Sequence, residues 1–581
     1  MADPAPTKDK KSNQPGGNRF RPGRQLIADA TGGWRPYALL TIFCAILFIP
    51  GIASLPPLDR DEARFAQATA QMLETGDYVD IRFQDQPRHK KPAGIHWLQA
   101  ASVQALSSIE AREIWAYRVP SVIGAWAAVI MTFVLGAHLF GRTAGLIAGG
   151  MMAASALLIL EAHQAKTDAV LLACVVAAQA GLAHAYLAAR DKLSVGRAPI
   201  ALMWIGLGAG VMIKGPIAPL ITVLTAAALS LADRDWRWLG RLGWLWGLPL
   251  ATAMALPWYM AVGGGAGGGD GGFVMTAITT DLIPKLLGGQ ESHGAPPGYY
   301  AVLALLFFWP GVFLMGPALW RAWRDRTAAP VRFCLAWLVP AWIMFELIPT
   351  KLPHYVLPLY PALALICAWS AAAVIGGAAP WFNKRALWIT GGLWALIGLA
   401  LGAAAVYLPI HFGATATWHT WFFVLFPLYA LVTSAAAMKH HVMNEALENA
   451  VISGGIMVTM VLWLMVAGFQ PMWVSARAAD TVPADIRTAA PVAVAGFSEP
   501  SIVFRLGTKT ELTNGAGAAG LLKSGQATAA IVEARELGAF KDSMGGLLGR
   551  YRVAGIVSGI NYSKGKKVAL HIFLPAGDSA K

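Results

Sequence analysis

Six polar clusters interrupt an otherwise apolar chain, and their residue types suit group transfer from a phosphate. They are Asp59-Arg60-Asp61-Glu62, His89-Lys90-Lys91-Pro92, Asp168, Lys214, Lys285 through His293, and Lys351-Leu352-Pro353-His354. A carboxylate can take the proton of an incoming hydroxyl. Cations can steady a phosphate that departs as an anion, with no general acid required. Asp61-Glu62 beside Arg64 offers a base next to a phosphate-binding cation. Its plainer alternative is a helix N-terminus with a solvated ion pair. Lys90-Lys91 is either a phosphate trap or a basic patch against lipid headgroups. Asp168 and Lys214 stand at span ends, where long side chains also snorkel. Glu291 and His293 have a spacing that could ligate a metal, or they are ordinary loop residues. Taken together, acids and cations gather at one membrane depth, where ionisable groups are costly and mark function.

The elements that must position these groups are membrane spans. The chain has 581 residues, 56% hydrophobic and only 13% charged, which is the composition of a polytopic membrane protein. The net charge of +14 does not signal nucleic acid, because Lys and Arg sit at span ends rather than in one stripe. The four cysteines lie in apolar runs with no metal-ligand spacing and are expected to be small core residues. Residues 1–33 are expected to form a disordered, basic cytoplasmic tail, and the first apolar run a retained anchor. Residues 34–470 hold about thirteen spans. These lie near 36–54, 117–139, 143–161, 168–189, 198–213, 216–232, 239–262, 298–320, 331–349, 354–377, 385–408, 418–438 and 450–470.

With the tail inside, the basic loops alternate to the cytoplasmic side and every polar cluster falls outside. Two outer loops are long, 55–115 and 263–297. The first is expected to carry two amphipathic helices on the membrane surface, Asp61–Glu74 and Pro92–Leu106. The second opens with a Gly-rich run suited to folding over a ligand. Residues 471–581 read as a small outer α/β domain. Its expected strands are Val492–Phe497, Ile502–Arg505, Ala529–Glu533, Val553–Ser558 and Lys567–Leu574, and its expected helix is Ala534–Met544.

At these clusters the chain resembles the GT-C-fold glycosyltransferases of the oligosaccharyl/protein-mannosyl transferase superfamily, the ArnT-like aminoarabinose transferases of lipid A above all. The resemblance covers about Trp34 to Ala373. It rests on Asp61-Glu62-Ala63-Arg64-Phe65-Ala66, Lys91-Pro92-Ala93-Gly94-Ile95-His96-Trp97, Lys214-Gly215, His293 with Pro297-Gly298-Tyr299-Tyr300, and Lys351-Leu352-Pro353-His354-Tyr355 through Pro361. Phe65 departs from the family's usual Tyr.

The resemblance implies an inverting transfer at the periplasmic face of a bacterial inner membrane. The donor would be a polyprenyl-phosphate sugar and the acceptor lipid A or another envelope molecule. Catalytic carboxylates would be Asp61, its neighbour Glu62, and Asp168. Arg64, Lys91, Lys214, Lys285 and Tyr355 would hold the donor phosphate; Lys90, His293, Lys351 and His354 would meet the acceptor. No cofactor is required. A divalent metal is an open alternative, with Glu291 and His293 its candidate ligands, but Lys90 stands where relatives would offer an acid. The chain is expected to act as a monomer among membrane lipids, with no nucleic-acid partner. A flippase of lipid-linked sugars is the alternative; it requires polar groups at mid-span and inverted repeats, and neither is evident. A non-catalytic assembly role would leave the outer charges freely replaceable.

Overall fold

The computed structural model describes residues 31–88, 91–263, 294–380, 384–411 and 418–576. Among them, eight helices are long and apolar enough to cross a membrane. A bent pair, Arg142–Ala154 and Ala156–Ala162, meets at 60° and makes a ninth if taken as one span. Ser155 sets this bend. Its side chain caps the second helix by accepting from the Leu158 amide at 3.4 Å, an N-cap role that serine favours. The break delivers Glu161, His163, Lys166 and Asp168 within a few residues of one another at one end of the bundle.

The remaining expected spans also coincide with helices, which are shorter, interrupted or less apolar. Arg35–Phe48 and Ile217–Asp233 are short apolar helices. Tyr299–Phe307 and Val312–Arg324 share one range, and Trp418–Lys439 fills another. The apolar side chains of these helices interlock into a single large core through Leu47, Phe133, Leu172, Trp337 and Leu365. Cys44, Cys174, Cys334 and Cys367 are all buried and unbridged, as small core residues would be.

The first long loop departs from expectation. Helix Asp61–Thr75 begins with two acids at its positive end and stops at Gly76, whose φ of +72° suits glycine. It does not lie on a lipid surface. Residues from Glu62 to Leu73 are buried almost without interruption. Helix Gly94–Leu106 packs on it, and helix Pro500–Leu506 of the C-terminal domain packs over it. The alanine-rich stripe that looked amphipathic thus faces protein on both sides. Of the two helices, the Gly94 helix keeps apolar side chains outward, at Trp97, Leu98 and Leu106.

The C-terminal domain is an α/β unit. Its strands are β3 Val492–Ala495, β4 Glu511–Thr513, β5 Ala529–Glu533, β6 Tyr551–Asn561 and β7 Lys566–Pro575, numbered after the small hairpin β1 Arg82–Phe83 and β2 Gln86–Pro87. They run in the order β4-β3-β5-β7-β6. β3 is parallel to β4 and β5, and β7 is antiparallel to its neighbours. The stretch Ile502–Arg505, read as a strand, lies instead in helix Pro500–Leu506. Pro500 at its first turn and a fully buried Ile502, Val503 and Phe504 explain the ambiguity, since a short apolar run fits either period. The domain also contains the short strand β4 and helices Val474–Thr481, Ala484–Ala489 and Gly515–Lys523, beyond the expected elements.

Polar contacts stitch this domain to the first loop. Arg112 donates to the Phe504 carbonyl at 2.9 Å, Gln67 to the Thr508 hydroxyl at 2.7 Å, and Gln84 to the Thr510 carbonyl at 2.6 Å.

Candidate active site

The outer-loop acid and the span-end charges come together at the ends of four helices. Asp61 opens its helix with the side chain about half exposed, 52%, and Arg64 one turn on lies 3.9 Å from it. From the neighbouring chain segments, Lys166, Arg88 and His354 act on the same carboxyl. Burial in the surrounding walls pushes Asp61 up. The positive charges, Lys166 foremost, outweigh that and hold it below the usual carboxylate range.

Behind Asp61 runs a chain of charges. Lys166 Nζ lies 3.1 Å from Glu161 Oε1. His354 stands between two acids, 3.8 Å from Glu161 and 3.9 Å from Asp168, beyond hydrogen-bond reach. Lys214 Nζ donates to Asp168 Oδ1 at 2.5 Å and sits 5.3 Å over the Tyr355 ring. Asp168 heads helix Asp168–Arg190, where the helix dipole favours a carboxylate, and Lys214 ends helix Arg197–Lys214, where it favours a cation. Burial works against the Lys166 ammonium, but Glu161, Asp168 and Asp61 keep it charged, raised above its ordinary value. Arg64, Arg88, Lys166 and Lys214 therefore face Asp61, Glu161 and Asp168, an excess of positive charge suited to an anion.

Lys91 heads the short approach to the Gly94 helix. Gly94 lets that helix touch the end of the Lys214 helix: a Cβ there would sit 2.6 Å from the Met212 carbonyl oxygen. The motif Lys91-Pro92-Ala93-Gly94 thus brings its lysine to the same end of the bundle as Lys214. His96, in the same motif, is buried and bonded to Thr69 at 2.8 Å; burial, with Arg88 adding, lowers its pKa to about 3. It joins two helices as a neutral ring.

Two expected site residues are otherwise engaged. Glu62 is fully buried, not facing a substrate. Its carboxylate takes Arg118 Nε at 2.7 Å and Nη2 at 2.9 Å, and the amides of Leu58 and Ala165, both at 2.8 Å. With its lone pairs occupied, it braces the chain just before Asp61. Lys351 is also buried. Its ammonium donates to the carbonyls of Glu346 at 2.6 Å and Ile348 at 2.7 Å, closing the end of helix Ala329–Leu347. An adjacent run of polar residues gives no clue to which of them turns inward.

Glu161, Lys166, Arg88 and Arg118 were not singled out in the sequence. The signal for the first two was there, in the polar stretch Glu161-Ala162-His163-Gln164-Ala165-Lys166-Thr167-Asp168 between two spans. Lys90, Lys285, Glu291, His293 and the Gly-rich run lie outside the described residues. Among the described residues, no three His, Cys, Asp or Glu side chains converge on a metal position.

The structure thus joins a helical membrane core, an Asp-x-x-Arg helix after the first span and an α/β domain packed over it. The fold matches the crystal structure of ArnT from Cupriavidus metallidurans bound to undecaprenyl phosphate. The TM-score is 0.69 at 15% identity, over 93% of this chain and 98% of that one. The apo form of that protein matches with a TM-score of 0.67 at 16% identity, over 92% of this chain and 98% of that one. In sequence, residues 90–260 match the family of dolichyl-phosphate-mannose-protein mannosyltransferases. The undecaprenyl phosphate-alpha-4-amino-4-deoxy-L-arabinose arabinosyl transferase of Pseudomonas aeruginosa is 29% identical over 56% of this chain and 58% of its own. A second such transferase, from Pseudomonas fluorescens, is 26% identical over 65% of this chain and 66% of its own. The chain therefore spans less than two thirds of the length of these relatives. It is ArnT-like in fold and in sequence, as its motifs led one to expect.

Proposed function

We propose that this protein transfers a sugar from a polyprenyl-phosphate donor to an envelope acceptor, with lipid A the leading candidate, at the periplasmic face of the inner membrane. The observation that carries this is the row of cations backed by carboxylates from Asp61 to Lys214. It offers a site for a leaving phosphate next to a base that stays ionised. Asp61 takes the acceptor proton when the acceptor is a hydroxyl; an acceptor phosphate is already anionic and needs only orientation. Arg64, Lys166 and Lys214 steady the departing prenyl phosphate, with Lys91 and Tyr355 at its edge.

An apolar cavity supports a lipid-linked donor. About 810 Å³ in volume, it is lined by Leu207, Val211, Gly215, Pro216, Pro219 and Val223 among others. Gly215 and Pro216, among its lining residues, follow Lys214 directly in the chain, and a prenyl tail lying there would have its phosphate at the Lys214 end. All thirteen helical ranges would cross the bilayer, placing the first loop and the C-terminal domain in the periplasm; the protein would work as a monomer with no required metal. These finer statements follow from the loop charges and the resemblance to ArnT.

The test is mass spectrometry of envelope lipids and glycans from cells with and without the protein. A sugar-sized mass on lipid A or another glycan, lost on deletion and restored by the wild-type chain, is the expected result. No change in any envelope species would overturn the proposal.

A further inference from the structure

Asp61 is reached through a strained residue. Arg60, immediately before it, has φ +66° and ψ −109°, a conformation that a residue with a side chain rarely adopts. Such a backbone persists only where its surroundings over-determine it, and it collects at functional sites. The surroundings here are unusual in origin. On the membrane side, Arg118 donates to the carbonyls of Leu55 and Pro56 at 2.6 and 3.1 Å. On the opposite side, the contacts come from the far end of the chain. The Asp59 amide donates to Tyr562 Oη at 2.6 Å, and Arg60 Nη2 donates to the Ser563 carbonyl at 2.7 Å. Ser501 donates to the Asp59 carboxylate as well.

Tyr562 and Ser563 open the four-residue turn, 562–565, between β6 and β7. That turn is itself anchored: the Tyr562 ring meets Trp473 edge-on at 6.2 Å, and Asn561 donates to Glu499 at 2.8 Å.

We infer that this hairpin turn is a positioning element of the active centre, with Tyr562 and Ser563 holding Arg60 in its positive-φ conformation so that Asp61 faces the acceptor. The inference rests on the catalytic assignment of Asp61. Tyr562 touches no reacting atom; it acts through the backbone at Asp59 and Arg60. Without its hydroxyl, the Asp59 amide loses its acceptor and Arg60 relaxes toward negative φ, swinging the Asp61 side chain out of line. Misplacement by about an ångström is enough to cost a large factor in rate.

The experiment uses the full-length protein. The initial rate is read as the mass that wild-type protein adds to envelope lipids in complemented deletion cells. Binding is read with undecaprenyl phosphate on purified protein. Tyr562→Phe should slow the rate roughly ten-fold or more, corresponding to about 1.4 kcal/mol, with unchanged undecaprenyl phosphate affinity and melting temperature. Adding Arg60→Gly to that variant should restore much of the rate, because glycine enters positive φ without the steric cost of a Cβ; a merely structural tyrosine would show no such rescue. Arg60→Met, which loses only the bond to Ser563, should slow turnover in the same way, and it carries the test should Tyr562→Phe fold poorly. Lys567→Ala, on the exposed flank of the hairpin, should leave the rate alone.

An unchanged rate in Tyr562→Phe and Arg60→Met, or a loss that Arg60→Gly does not repair, overturns the inference. Asp61→Asn run alongside separates the two claims. If it is inactive while the hairpin variants are normal, only the hairpin role falls. If it transfers at the wild-type rate, the catalytic assignment falls and the inference with it.

Discussion

Asp61 gathers opposing influences that a sequence cannot weigh. Burial drives its carboxyl up, while Lys166, Arg88, His354 and Arg64 drive it down and prevail. Because the folded value is depressed, the ionised base persists at neutral pH and is lost only as pH falls through that low value. The acid limb of the rate profile should therefore lie below the ordinary carboxylate region, near ~3.9. Lys166→Met should move that limb upward, as read from initial rates across pH. Asp61→Asn should cut turnover by about two to four orders of magnitude, the usual contribution of a general base, while the protein still melts cooperatively. Arg118→Met tests the brace. It strands the buried Glu62 carboxylate and should cost about 3–5 kcal/mol in unfolding measurements.

At this scale part of the set expected from the sequence lies together, while Glu62 and Lys351 are engaged elsewhere. Asp168, Lys214, His354 and Tyr355 do meet. The sequence could not separate Asp61 from Glu62, because neighbours on a helix point about 100° apart and only the fold decides which one turns inward.

Among the elements, the approach of the Gly94 helix to Met212 and the docking of the C-terminal domain matter most. Gly94→Leu would force the two helices apart, and overpacking of this kind costs about 1–3 kcal/mol. Weaker binding of undecaprenyl phosphate alongside a lower melting temperature is the expected result. Docking should also depend on pH through Asp59. Burial pushes its pKa up to about 6, Glu499 adds to that, and bonds from Ser501 and Tyr562 oppose it. With the folded value raised, its contribution is complete below the unfolded value and is lost as pH rises through about 6. Protease cleavage between the last span and the domain should therefore be slower in mild acid than at neutral pH, and Asp59→Asn should flatten that difference.

The helix boundaries were mostly legible, since an apolar run of about twenty residues leaves little choice. The surface placement of the Asp61 helix was not, because its alanines and Phe65 would suit a lipid or a protein neighbour equally. The helix at Pro500–Leu506 escaped for the related reason that seven residues are too few to show a period.

For the molecule as a whole, the apolar cavity beside Lys214 makes a prediction about donors. Val223→Trp narrows it and should raise the KM for long-chain prenyl donors while leaving one of two or three isoprene units nearly unaffected. Equal effects on both would place the tail elsewhere. Membrane class could be read from composition alone, and the resemblance supplied the fold. The junction between the first loop and the C-terminal domain could not be read, because its contacts link residues hundreds of positions apart.

That separation in sequence has a consequence for biosynthesis. Asp59 and its partner Tyr562 are 503 residues apart. A ribosome must therefore add 503 residues after Asp59 before the two can meet. A chain still emerging would already hold Asp61, Lys166, Asp168 and Lys214 yet lack the contact that clasps Asp59.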